Sequence, residues 1–238
     1  MHRFFLNRVI EDPKNIVIKD KEIINKINKV LRKKVGDRFL LFDIQANDYE
    51  VEIKAKSSKE ISCSFVRKNF IERELKTNII LYQALLKKDK LEWILQKATE
   101  IGVKKIVPVL SGNCVIKELK TAKIKRYQKI LQEATLQCGG KKMPELSKLT
   151  KFEQAVEQVN VSHLNLIAHE QEQDNKLVKI LVNNKNLNIN LFIGPEGGFL
   201  DQEINLARSF SFQTISLGSR ILRAETAAVV SCGIIANI

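Results

Sequence analysis

Two apolar runs in the last quarter of the chain each end in a glycine-bearing turn, and this pairing constrains the fold more than any other feature. Leu187-Asn188-Ile189-Asn190-Leu191-Phe192-Ile193 leads into Gly194-Pro195-Glu196-Gly197-Gly198-Phe199. Thr214-Ile215-Ser216-Leu217 leads into Gly218-Ser219-Arg220-Ile221-Leu222-Arg223-Ala224-Glu225-Thr226-Ala227-Ala228. Short apolar runs bounded by turn residues read as buried strands. In an open α/β sheet, ligands bind beyond the carboxyl ends of such strands. Glycine lets the backbone turn sharply there and approach a ligand closely. Two such turns, one βα unit apart, can face one pocket. Either turn alone is as readily an ordinary loop, because short glycine motifs recur without function.

Upstream the pattern divides near residue 70. Residues 1–70 read as a small, mostly β domain. Ile16-Val17-Ile18 is a short strand, and Asp20 caps a helix to about Arg32 with Ile23, Ile24, Ile27, Val30 and Leu31 on one face. Arg38 to Phe42, the alternating Tyr49 to Ala55, and the less regular Ile61 to Val66 are strands, and a barrel is their natural product. Residues 71–238 alternate β and α. A strand over Ile79–Leu85 precedes a helix from an Asp89 N-cap to a Gly102 stop. Ile106–Leu110 is a strand in which Pro108 marks an edge or an end. A long basic helix from Lys117 to Gln137 follows, with Tyr127, Ile130, Leu131 and Ala134 facing the core. Residues 150–159, 176–182, 201–210 and 224–236 are further helices, and Leu164–Ala168 is a strand ending at His169-Glu170.

The formal net charge of +13 and a pI near 9.6 favour a polyanionic partner, nucleic acid before an anionic membrane. A lysine-rich proteome yields the same balance. Lys26, Lys29, Arg32, Lys33, Lys34 and Arg38 form a basic cluster that suits phosphate contact and equally suits a solvated helix face. The four cysteines are scattered without a C-x-x-C pair, and the three histidines, His2, His163 and His169, have no metal-ligand spacing, so no metal site is expected. No apolar run spans a bilayer and Met1-His2-Arg3-Phe4-Phe5 does not open a signal peptide, so a cytoplasmic protein is expected.

Gly-Pro-Glu-Gly-Gly-Phe followed by Leu-Gly-x-Arg-Ile-Leu-Arg-x-Glu-Thr-Ala closely resembles the RsmE family, which methylates N3 of a uridine in 16S ribosomal RNA of the small subunit. The resemblance runs nearly full length. It takes in Met1–Phe5, Val30–Asp37, Asp89–Val103, Glu133-Ala134, Gln137-Cys138-Gly139 and Pro144-Glu145. It implies an amino-terminal PUA-like RNA-binding β-barrel, and a carboxyl-terminal α/β domain of the SPOUT class with a trefoil knot. It also implies a homodimer with its site at the subunit interface, and S-adenosylmethionine as donor. Cofactor contacts are then expected from His169, Ile193, Gly194, Glu196, Gly197, Gly198, Leu217, Gly218, Ile221, Leu222, Thr226 and Ala227. RNA contacts are expected from Arg3, Arg8, Arg32, Lys33, Lys34, Lys141, Lys142 and Arg220. The chain departs from the family at Asn113 and Gly140, where arginine is usual, and at Asn25, Ser219 and Ala224. Lysine replacements such as Lys117, Lys141 or Lys142 lack arginine's bidentate fork.

A sulfonium methyl is already activated, so such an enzyme needs orientation and exclusion of water rather than a metal. The proton on uracil N3 must leave. A carboxylate can take it, or a cation can stabilise the charge that spreads over the ring. Glu225 and Arg223 are the candidates. Both are equally able to pair with each other or to cap the last helix. A branched residue at Gly197 is expected to be excluded by positive φ. Other chemistries fail: Gly139-Gly140-Lys141-Lys142 lacks the spacing of a Walker loop, no G-x-S-x-G elbow exists, and the Ser-Leu-Asn motif of the ribose-methylating SPOUT branch is absent.

Overall fold

The computed structural model describes residues 1–43, 47–69, 74–184 and 188–238. Phe70, at the expected domain boundary, and Leu187, at the head of the first glycine-turn strand, lie outside the described residues. The chain forms two compact units, Met1–Glu74 with Thr135–Lys142, and Leu75–Ala134 with Met143–Ile238.

The first unit is a five-stranded sheet of β1 (Arg3–Leu6), β2 (Ile16–Ile18), β3 (Arg38–Asp43), β4 (Asp48–Lys56) and β5 (Ile61–Asn69), in the order β1-β3-β4-β5-β2. Only β1 on β3 is parallel. Period-2 alternation puts Phe4, Leu6, Phe39, Leu41, Val51, Ile53, Ile61 and Cys63 into one core with Ile16 and Ile18. The uneven pattern in the β4–β5 pair has a structural cause, since the register shifts at Glu50/Val51 and at Ile53/Ala55.

Asp20 caps helix α1 (Lys21–Asn25), its carboxylate accepting from the Ile23 N–H at 3.0 Å. The expected single helix to Arg32 instead widens into a π-type turn over Lys26–Val30, where the Leu31 N–H reaches back five residues to the Lys26 carbonyl at 2.8 Å. The extra residue in the turn rotates Val30 off the apolar face, and it is exposed while Ile23, Ile24 and Ile27 are buried. Arg32 ends the segment at φ +49°.

The second unit is a wholly parallel sheet. Its strands are β6 (Asn78–Ala84), β7 (Lys105–Leu110), β8 (Glu145–Leu146), β9 (Thr150–Lys151), β10 (Leu164–Ala168), β11 (Asn188–Ile193) and β12 (Gln213–Ile215). The order is β12-β10-β11-β6-β7-β8, with β9 also on β7. Its helices are α2 (Lys90–Ile101), α3 (Thr121–Cys138), of which the residues from Thr135 onward group with the first unit, α4 (Phe152–Glu157), α5 (Leu177–Val182), α6 (Asp201–Ser209) and α7 (Ala224–Ala236).

Both faces of the sheet are covered, so its strands are apolar on both sides. Ile79, Leu81, Ile189, Leu191 and Ile193 face the core shared with α2, α5 and α7. Tyr82 and Phe192 face the core shared with α4 and α6. There the two rings stack at 4.1 Å, and Phe212 meets Phe192 edge-on at 4.9 Å. Within the same sheet the Asn190 amide donates to Asn165 Oδ1 at 2.7 Å, so one buried amide answers another across β10 and β11.

Three expectations need correction here. Asp89 stands at the α2 N-cap but its side chain makes no cap hydrogen bond there, whereas Gly102 closes the helix at φ +102° as expected. Helix α3 begins at Thr121 rather than Lys117. Pro108 lies inside β7 rather than at its end, and the edge alternative fits locally, since neither β8 nor β9 pairs at Pro108. The Ile106 carbonyl accepts from Ser147 on the β8 side and the Val109 carbonyl accepts from Leu85 on the β6 side. Alternate peptides therefore point to opposite neighbours. The missing N–H of Pro108 falls between β8, which pairs at Lys105 and Ile106, and β9, which pairs at Val109 and Leu110.

Candidate active site

Because every pairing in the second sheet is parallel, the chain leaves β10, β11 and β12 at one edge. Three loops meet there around a cavity of about 360 Å³, within the range of small-molecule sites. The loop after β10 gives His169, Glu170 and Glu172, and the loop after β11 gives Gly194, Pro195, Glu196, Gly198 and Phe199. The segment from β12 to α7 gives Ser216 to Ala224, with Ala227 behind it. The two glycine turns thus share one wall, with β10 rather than direct contact between β11 and β12 joining their strands.

Of the expected cofactor residues, His169, Ile193, Gly194, Glu196, Gly198, Leu217, Gly218, Ile221, Leu222 and Ala227 line this cavity, and Gly197 and Thr226 do not. Arg220 and Arg223 line it and Glu225 does not. Lys90, Glu170, Glu172 and Ser216 also line it and were not singled out in the sequence. Glu172 carries no local motif, Lys90 lies within the Asp89–Val103 resemblance without standing out as a site residue, and only the fold brings the two to the edge.

The glycines divide by backbone. Gly198 sits at φ +68° and Gly218 at φ +128°, conformations that favour glycine. A Cβ on Gly194 would stand 3.3 Å from both the Phe199 ring and the Gly198 carbonyl carbon, so that turn is close-packed. Gly197 does not have positive φ, and a Cβ there would meet Asn113 at an ordinary 3.5 Å. The expected exclusion of branched residues by positive φ therefore belongs to Gly198. The Asn113 amide donates to the carbonyls of Gly197 and Gly198 at 2.9 and 3.2 Å. Beside it, buried Glu203 accepts from the Gly112 and Leu200 N–H groups at 2.9 and 2.8 Å, joining the loop after β7 to the start of α6.

Several charged groups at the cavity are paired. Lys90, the first residue of α2, places its ammonium 3.0 Å from Glu196 Oε1 and 3.7 Å from Glu225 Oε2. The hydrogen bond it donates to Glu196 raises the Lys90 pKa. Burial pushes the Glu196 carboxyl up, but donation from Lys90 and from the Lys87 N–H outweighs it and the net shift is downward. Glu225 thus faces Lys90 from the first turn of α7, and Arg223 holds the N-cap position without a side-chain cap. Glu172 accepts from Thr214 Oγ1 at 2.6 Å and from the Asp174 and Asn175 N–H groups at 3.1 Å, which lowers its pKa to about 2.

The cations expected to contact RNA in the first unit are unequal in availability. Arg3 is 6% exposed, gripped by both oxygens of Asp48 at 2.9 Å, donating to the Thr135 and Gly140 carbonyls, and stacked 4.4 Å over Phe42. That guanidinium is committed to packing, and the expectation of a phosphate contact is corrected accordingly. Lys33 Nζ donates to the Arg38 carbonyl and Arg8 to the Val17 carbonyl. Arg32, Lys34 and Lys142 are exposed and Lys141 is half-buried. Among the described residues no His, Cys, Asp and Glu converge as a metal site, and no helix is long and apolar enough to cross a membrane.

A family model for an RNA methyltransferase domain matches residues 73–236. A ribosomal RNA small subunit methyltransferase E from Mesomycoplasma hyopneumoniae is 33% identical, over 96% of each chain. Among solved structures, a ribosomal RNA small subunit methyltransferase E from Neisseria gonorrhoeae bound to S-adenosyl methionine superposes with a TM-score of 0.87 at 26% identity, covering 98% of this chain and 95% of that one. A putative methyltransferase from Legionella pneumophila in complex with the same cofactor superposes with a TM-score of 0.86 at 28% identity, covering 98% and 96%.

Proposed function

The chain belongs to the ribosomal RNA small subunit methyltransferase E family of RNA methyltransferases, and from that membership we propose how its residues divide the work. It is an S-adenosylmethionine-dependent methyltransferase of small-subunit ribosomal RNA. The carrying observation is the cavity at the ends of β10, β11 and β12, walled by both glycine turns. We assign the cofactor to it. The donor set suits that ligand: close-packed backbone at Gly194 and Gly198, apolar Ile193, Leu217 and Leu222, and a few placed polar groups. S-adenosylmethionine, when bound, supplies an activated sulfonium methyl.

The acceptor in this reading is N3 of one uridine in 16S ribosomal RNA. Arg223 lines the cavity and is exposed, so its guanidinium is available to the uracil carbonyl oxygens as charge develops on the ring. Glu225 lies outside the lining with its carboxylate toward Lys90, so of the two candidates Arg223 is the one at the cavity wall. Arg220, Arg32, Lys34, Lys141 and Lys142 are assigned to RNA phosphates, in keeping with the net charge of +13.

Residues 1–70 are read as the PUA-like barrel and residues 71–238 as the catalytic domain, with Thr135–Lys142 of the latter grouping with the first unit. The packing of α7 on α2 and β6 supports a trefoil knot in that domain, because the last helix lies on elements from its start. The family's pattern of a site at a subunit interface supports a homodimer, and ribosomal RNA as substrate supports a cytoplasmic location. Mass spectrometry of ribosomal RNA from a strain lacking the gene tests the function: one N3-methyluridine should disappear from the small subunit. An unchanged modification profile would refute the reading.

A further inference from the structure

Lys90 occupies a position that its charge alone disfavours. It opens α2, where the positive end of the helix dipole repels a cation. Two carboxylates from two other elements hold it there. Glu196 comes from the turn after β11 and Glu225 from the first turn of α7, at 3.0 and 3.7 Å. Glu225 Oε2 is a buried atom with no hydrogen-bond partner among the described residues, so the Lys90 ammonium is the group that balances it. Lys90, Glu196, Ala224 and Ala227 all line the cavity.

We propose that Lys90 is a positioning residue of the cofactor site, its ammonium tying the Gly194–Gly198 turn to the start of α7 so that both walls of the cavity hold one spacing. The inference rests on the cofactor assignment made above. Without the ammonium, two carboxylates face each other across a partly buried gap and repel. The Lys87 N–H still donates to Glu196 but offers nothing to Glu225. Asp89, the adjoining acid, interacts electrostatically with Arg126, and Arg223 stands on the cavity wall. The two walls then separate, and the cofactor loses contacts on both.

The test is calorimetric binding of S-adenosylmethionine to wild type, Lys90→Met, Lys90→Arg and the double variant Lys90→Met/Glu225→Gln, with thermal melts confirming the fold. Lys90→Met should bind roughly tenfold more weakly at neutral pH, a modest loss because the cluster is partly solvated. Lys90→Arg should restore part of the affinity, and removing the second charge with Glu225→Gln should restore most of it. Unchanged binding by Lys90→Met would overturn the proposal. So would a loss that is not rescued by Glu225→Gln, since that describes lost packing. A wild-type protein that binds no cofactor would overturn the cofactor assignment itself, and this proposal with it.

Discussion

The Asn113 side-chain amide donates to the Gly197 carbonyl at 2.9 Å, and the same nitrogen reaches the Gly198 carbonyl at 3.2 Å. Two successive peptides of the glycine turn are thereby fixed from the loop after β7. The family usually has arginine at this place, and here the shorter amide braces the turn. Asn113→Ala should weaken S-adenosylmethionine binding roughly three- to tenfold, the usual net worth of one or two neutral hydrogen bonds. Titration calorimetry reads this directly, and an affinity within experimental error of wild type would remove Asn113 from the support of the turn.

The two adjacent glycines should respond differently to the same methyl group. Gly198→Ala forces a side chain into φ +68° and against the Glu170 carboxylate 3.4 Å away. Such a conformation costs an L-residue about 1–2 kcal/mol. Gly197→Ala meets only Asn113 at 3.5 Å with no positive φ. Cofactor binding should fall clearly in the first variant and change little in the second. Equal losses would mean that the turn is read by the ligand through both residues alike.

Arg223→Ala should separate chemistry from binding. If its guanidinium meets the uracil oxygens as charge develops, single-turnover methylation of small-subunit particles should slow by about 10²–10³. Cofactor affinity, measured in parallel, should hold. A near-normal rate would leave Arg223 as the N-cap position of α7 and nothing more.

Thr214 and Glu172 predict an acid-sensitive brace. The folded carboxyl of Glu172 titrates at about 2, below its ordinary value, chiefly because the Thr214 hydroxyl donates to the charged form. A depressed pKa contributes stability that is present above the ordinary carboxylate pKa and is lost as pH falls toward the folded value of about 2. Thr214→Val should therefore be less stable than wild type at neutral pH, and the gap should close as acid is added. Denaturant midpoints at a series of pH values check it. A gap that persists to the lowest pH would assign the loss to packing instead.

Much of the second unit was legible because its signals are local. Apolar runs such as Ile189–Ile193 are buried on both faces, and Gly102, Gly198 and Gly218 mark places where the backbone turns left-handed. Register and position within the sheet were not legible. Nothing in the sequence near Lys90 says that α2 begins beside the ends of strands more than a hundred residues later. The burial of Arg3 depends on Asp48, Thr135 and Gly140, which only the fold assembles. The π-type turn after Asn25 was hidden for a different reason, since an apolar stripe over Ile23–Leu31 fits an ordinary helix equally well. Gly197 was misread because neighbouring glycines carry the same letter and different dihedral angles.

The position of Pro108 has a consequence for how copies of this chain can meet. Open sheet edges are templates on which further strands assemble, in ordered dimers and in aggregates alike. One side of β7 carries two strands of two residues each, with the proline between them where a donor would otherwise be offered. The opposite edge, β12, is three residues long. Neither margin of this sheet offers a long continuous ladder for another strand, so strand addition to it is discouraged from both sides.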